Sequence, residues 1–83
     1  MLRLSAIPRP VDSAVLEVVD ELITATKRHG KFNSCHEGYA ILAEEVDELW
    51  DLVKLKSPNK AMLRLEATQV AAMAIRFMLD CTE

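Results

Sequence analysis

Apolar and polar positions alternate along this chain with the period of an α-helix in three successive stretches. In the first, Val11, Val15, Val18, Val19, Leu22 and Ile23 recur at helical spacing, and Glu17, Asp20 and Glu21 fill the other arc. Lys27, Arg28 and His29 suit the negative end of a helix dipole, and Gly30 suits the left-handed position just beyond it. A first helix is therefore expected over about 11–29. Met1 to Arg9 reads as a short lead-in kept extended by Pro8 and Pro10. Lys31-Phe32-Asn33 is a loop. Ser34-Cys35-His36-Glu37 has the form of a capping box, with Ser34 accepting from the Glu37 amide and the Glu37 side chain returning to the Ser34 amide. A second helix is then expected over 35–56. Pro58 suits the first position of a third helix capped by Ser57, running over 58–81. No strand pattern and no repeat interrupts this reading, so the fold class is all-α.

The second and third stretches differ in how they separate their faces. At 100° per residue, Leu42, Val46, Leu49 and Val53 form one stripe, with Asp47, Asp51 and Lys54 roughly opposite. Glu45 and Glu48 stand at the margin of that stripe, on the side of Ile41 and Leu52. The third stretch is apolar almost all round: Met62, Leu63, Leu65, Val70, Ala71, Ala72, Met73, Ile75, Phe77, Met78 and Leu79 leave no wholly polar face. A helix of that kind is covered on more than one side. With only two other helices available, the expectation is a helix bundle completed by oligomerisation, as a homodimer or a dimer of dimers.

Composition sharpens this picture. In 83 residues, 51% are hydrophobic, drawn mainly from Leu, Val, Ala, Met and Ile. Such a chain makes one domain, and its core on its own is marginal. The net charge of −3 comes without any basic block, which argues against nucleic acid as a partner. Cys35 and Cys81 lack metal-type spacing and read as free thiols in a reducing cytoplasm. No stretch has the build of a signal peptide. The longest apolar run, Val70 to Ile75, is too short to span a bilayer, so no membrane association is expected.

Candidate chemistry lies on the two long helices. Glu45 and Glu48, three residues apart, project side by side next to apolar neighbours, and their repulsion is costly unless a cation or a partner sits between them. On the third helix Glu66 and Gln69 form a second pair at the same spacing, on a line that Met62, Met73 and Asp80 extend and that Arg76 adjoins. A tight Ser-Pro-Asn connection makes these helices antiparallel, and at 1.5 Å per residue both pairs fall at nearly the same height. Four oxygen donors could then converge, a set suited to Mg²⁺ or Mn²⁺. Lys27, Lys31, Lys54 and Arg76 are candidates to meet phosphate oxygens, and Phe32, Tyr39 or Trp50 to stack on a base. Most Lys and Arg side chains are simply solvated, and core or interface packing is the commoner role of such aromatics. His36 reads as an exposed residue of a first helical turn.

Over about residues 32–80 the chain resembles the MazG-like nucleoside triphosphate pyrophosphohydrolases of the all-α superfamily. The resemblance rests on Phe32-Asn33-Ser34, on His36-Glu37-Gly38-Tyr39-Ala40, on Glu44-Glu45-Val46-Asp47-Glu48-Leu49-Trp50, and on Glu66 through Phe77. The family pattern is Glu-x-x-Glu on one helix and Glu-x-x-Asp on the next, which together supply the metal ligands. Glu45, Glu48 and Glu66 match it, and Gln69 stands where the family has Asp. The resemblance implies Mg²⁺-dependent hydrolysis of a nucleoside triphosphate between the α and β phosphates, with assembly of two or more chains. Either Glu44 or Glu48 is then a candidate to orient the attacking water. The alternative is a non-catalytic oligomerisation or nucleotide-binding module of the same fold, with one charge fewer at its site because of Gln69.

Overall fold

The computed structural model describes residues 11–83, so the expected extended lead-in over Met1–Arg9 lies outside the described residues. Three helices follow in order: α1 (Asp12–His29), α2 (Cys35–Val53) and α3 (Lys60–Cys81), with no strand among the described residues. The fold class is all-α, as expected. α3 is the central element and packs against both α1 and α2.

Local signals set most of the boundaries. Gly30 closes α1 at φ 67°, and its amide donates to the Thr26 carbonyl at 2.9 Å. A positive φ at that point is what glycine supplies without cost. Ser34 caps α2, accepting from the Glu37 amide at 3.0 Å. The return half of the capping box differs from expectation. The Glu37 carboxylate takes the Asn33 amide and the Asn33 Nδ2, both at 3.0 Å, in place of the Ser34 amide. Asn33 offers two donors to the two carboxylate oxygens, which a single backbone N–H does not match.

The α2–α3 connection is longer than the expected Ser-Pro-Asn turn. α2 ends at Val53, not at 56, and Lys54 caps it with its amide on the Trp50 and Leu52 carbonyls. α3 begins at Lys60, not at 58, because Asn59 is the cap, accepting from the Met62 amide at 3.1 Å. Asn is at least as good a cap as Ser, and it leaves Pro58 in the connection.

The packed face of α2 is also rotated from the stripe expected. Gly38 is buried, and Ile41, Leu42, Glu45, Leu49 and Leu52 are half-buried, whereas Val46 and Val53 are exposed. The buried line of α3 runs through Ala72, Met73 and Arg76, continuous with half-buried Glu66, Gln69 and Asp80. The seam between the helices thus follows the polar stripe of α3. Gly38 permits their close approach: a Cβ there would stand 2.8 Å from Phe32 Cδ2 and 3.1 Å from Phe77 Cδ2.

Candidate metal centre

Glu45 and Glu48 leave α2 one turn apart, and Glu66 leaves α3 across the seam. One carboxylate oxygen from each lies within 4.8 Å of the other two. The longer connection does not spoil this meeting. Glu48 stands five residues before the end of α2 and Glu66 six residues after the start of α3, so antiparallel packing brings them level. Glu45 and Glu66 are half-buried and Glu48 is exposed. Gln69 is half-buried one turn beyond Glu66 on the same seam, and Glu44 is exposed beside the cluster without joining it.

The electrostatics are strained. Glu45 Oε2 and Glu66 Oε2 are buried without a hydrogen-bond donor. Two carboxylates bond each other only when one holds a proton or a cation stands between them. Burial first, and the charges of Glu48 and Glu66 next, push the Glu45 carboxyl up from its ordinary 4.5 to about 7. The Glu66 carboxyl is raised in the same sense, again by burial before the charge of Glu48. A hard divalent cation fits this arrangement, because the donors are all oxygen, two of them lack a partner, and a 2+ charge removes the repulsion.

Glu45 also lines a pocket of about 410 Å³, together with His29, Lys31, Phe32, Glu37, Ile41, Met73 and Arg76. Arg76 is the most deeply set of the cations, at 4% exposure. Its Nη2 donates to the Gly30 carbonyl at 2.7 Å, its Nη1 meets Met73 Sδ at 3.4 Å, and its guanidinium carbon lies 4.3 Å from the centroid of the Phe32 ring. Among the described residues it makes no ion pair with a carboxylate, although its charge helps to lower the Glu37 carboxyl, which the Asn33 donors lower most. The Phe32 amide donates to Asp80 Oδ2 at 3.0 Å, which fastens the loop after α1 to the end of α3.

Of the residues singled out in the sequence, Glu45, Glu48 and Glu66 come together, and Lys31, Phe32 and Arg76 gather in the adjoining pocket. Lys27 is exposed in the last turn of α1, and Lys54 is exposed and paired with Asp51 at 3.1 Å; neither lines that pocket. Phe32 has one ring face under the Arg76 guanidinium and an edge against Gly38, so it is in use as packing. Tyr39 and Trp50 are exposed away from the pocket. His29, Glu37, Ile41 and Met73 are pocket residues that the sequence does not single out as such. Two of them carry a signal: Ile41 lies on the side of Glu45 and Glu48, and Met73 on the Glu66–Gln69 line. A larger hollow of about 450 Å³ between α1 and α3, lined by Glu17, Asp20, Arg64 and others, lies away from the three carboxylates, and its Arg64 is already engaged by Glu17. Comparison of the chain with protein-family models, with curated proteins and with solved structures gave no match.

Proposed function

We propose that the protein is a Mg²⁺-dependent nucleoside triphosphate pyrophosphohydrolase, cleaving its substrate between the α and β phosphates to a monophosphate and pyrophosphate. The observation that carries this reading is the pair of buried carboxylate oxygens without donors, one on each of two helices, converging beside a pocket walled by cations. Glu45, Glu48 and Glu66 would hold the metal, with Gln69 as a neutral fourth donor. Mn²⁺ is an acceptable substitute on the same chemistry. When bound by these residues, such an ion would supply neutralisation of phosphate charge and polarisation of the phosphorus centre. Lys31 and Arg76 complement it from the pocket, where their charge meets phosphate oxygens. Phe32 acts through Arg76, holding the guanidinium over its ring. Glu48 is the member of the cluster open to solvent, which suits it to take the proton of the attacking water, and Glu44 beside it is the other candidate base. Water adds at the α-phosphorus as the bond to the bridging oxygen breaks, and pyrophosphate leaves.

The test is release of pyrophosphate from a panel of ribo- and deoxynucleoside triphosphates, with Mg²⁺ and with chelator. Metal-dependent release that Glu45→Gln or Glu66→Gln abolishes supports the reading. Absence of release with every triphosphate, while Mg²⁺ still raises the melting temperature, points to the non-catalytic nucleotide-binding module that the neutral Gln69 favours. Absence of any response to metal removes the metal site and with it the pyrophosphohydrolase, and leaves the non-catalytic oligomerisation module.

A further inference from the structure

Two thiols stand outside the site described above. Cys35 is the first residue of α2 and Cys81 the last of α3. They are 46 positions apart in sequence, yet Cys35 Sγ lies 3.9 Å from the Cys81 carbonyl oxygen. That carbonyl belongs to the last turn of a helix, where no intrahelical donor reaches it, and the Cys35 thiol is its donor. Both cysteines are free, Cys35 exposed and Cys81 half-buried. Their position at helix ends matters. A disulfide requires Cα atoms about 4.4–6.8 Å apart, and terminal turns adjust to that demand more readily than helix interiors do.

We propose that Cys35 and Cys81 form a dithiol that closes to a reversible intramolecular disulfide on meeting a low-molecular-weight disulfide, fastening the start of α2 to the end of α3. Cys35 is the sulfur an oxidant in solution can reach. As a thiolate it attacks one sulfur of the small disulfide, whose S–S bond breaks and releases one small thiol. Cys81 then attacks the Cys35 sulfur of this mixed disulfide and expels the second small thiol. Two protein thiols are oxidised, one small disulfide is reduced to two thiols, and the two cysteine protons end on those thiols. The order of events agrees with the surroundings of Cys81. Burial, followed by the neighbouring Cys35, pushes the Cys81 thiol up to about 11, which leaves the exposed Cys35 to react first and Cys81 to close the bond. The new bond would lie beside the hydrogen bond from the Phe32 amide to Asp80, and so would stiffen the loop that carries Lys31 and Phe32 into the pocket. The inference stands independently of the pyrophosphohydrolase reading.

The experiment treats the full chain with oxidised glutathione and follows free thiols, intact mass, mobility without reductant and melting temperature. We expect both thiols to disappear within one chain, with a mass lower by two hydrogens and no glutathione retained. Closing a loop of this span should raise the melting temperature by roughly 10–20 °C, and dithiothreitol should reverse it. Cys81→Ser should stop with glutathione on Cys35 and show no such rise, and Cys35→Ser should not react. Wild-type protein that keeps glutathione on Cys35 with Cys81 free, or that links chain to chain, overturns the proposal.

Discussion

Glu45 is a carboxyl held where its charge is poorly accommodated, and this has a measurable sign. Burial and neighbouring charge raise its folded-state value above the ordinary 4.5, to about 7. The folded protein therefore keeps a proton that the unfolded chain gives up within that window. Its contribution to stability is full below 4.5 and is lost as pH rises through about 7. Glu66 acts in the same direction. With chelator present, the melting temperature should fall between about pH 5 and pH 8, and Glu45→Gln should flatten that slope and melt higher than the parent at the upper end. Mg²⁺ at the upper pH should stabilise the parent and leave the Gln variant nearly unchanged, since binding to the native state alone is stabilising. Superimposable melts of parent and variant in all three conditions would remove the site. Gln69→Asp makes the complementary test. A carboxylate at this position adds attraction for a cation and repulsion without one. It should bind Mg²⁺ more tightly by titration calorimetry and melt lower in chelator. A change within about 0.5 kcal/mol in both conditions would mean that Gln69 stands clear of the cluster.

At the scale of elements, the packing of α2 on α3 depends on Gly38. Alanine there gains up to about 1 kcal/mol of helix propensity. Its Cβ would also press on two aromatic rings, at 2.8 Å from Phe32 and 3.1 Å from Phe77. Overpacking of that kind costs about 1–3 kcal/mol, so Gly38→Ala should be destabilising, read as a lower urea midpoint with an unchanged slope. Arg76→Met should also destabilise, by about 2 kcal/mol in the same assay, because it strips the Gly30 carbonyl of its donor and the Phe32 ring of its cation. These elements also show what the sequence makes legible. The start of α2 and the end of α1 are readable because Ser34 and Gly30 act within a few residues of themselves. The end of α2 is not, since Lys54, Leu55 and Lys56 contain no breaker. The packed face of α2 is not legible, because Val46 and Val53 are as apolar as the residues that do pack, and only the partner helix decides between two adjoining stripes. The meeting of Glu45, Glu48 and Glu66 was legible from helical period and antiparallel register together. The pocket was not, because the hydrogen bond from Arg76 to Gly30 joins positions 46 apart, beyond the reach of any local pattern.

For the whole molecule, the described chain extends 36 × 35 × 19 Å with a radius of gyration of 14.0 Å. A compact domain of this length would have a radius of about 12 Å. The helices form a plate scarcely two helix diameters thick. Its wholly buried apolar core is Ala25, Ala72 and Met73, and among the described residues no large side chain is fully enclosed. Meanwhile Leu16 at 62%, Trp50 at 57% and Met78 at 60% are among the exposed apolar residues that all three helices carry. We expect a dimer or a dimer of dimers by light scattering, with Trp50 emission moving to the red as the assembly dissociates and Trp50→Glu weakening it. A folded monomer at micromolar concentration with unshifted emission would refute this. No helix among the described residues is long and apolar enough to cross a membrane, so a membrane-spanning helix does not account for this apolar surface. A plate so thin has almost no interior of its own, and in the expected assembly an interior would form between copies. Folding would then be a reaction of second order: the melting temperature would climb with the logarithm of protein concentration, and dilution alone would act as a denaturant.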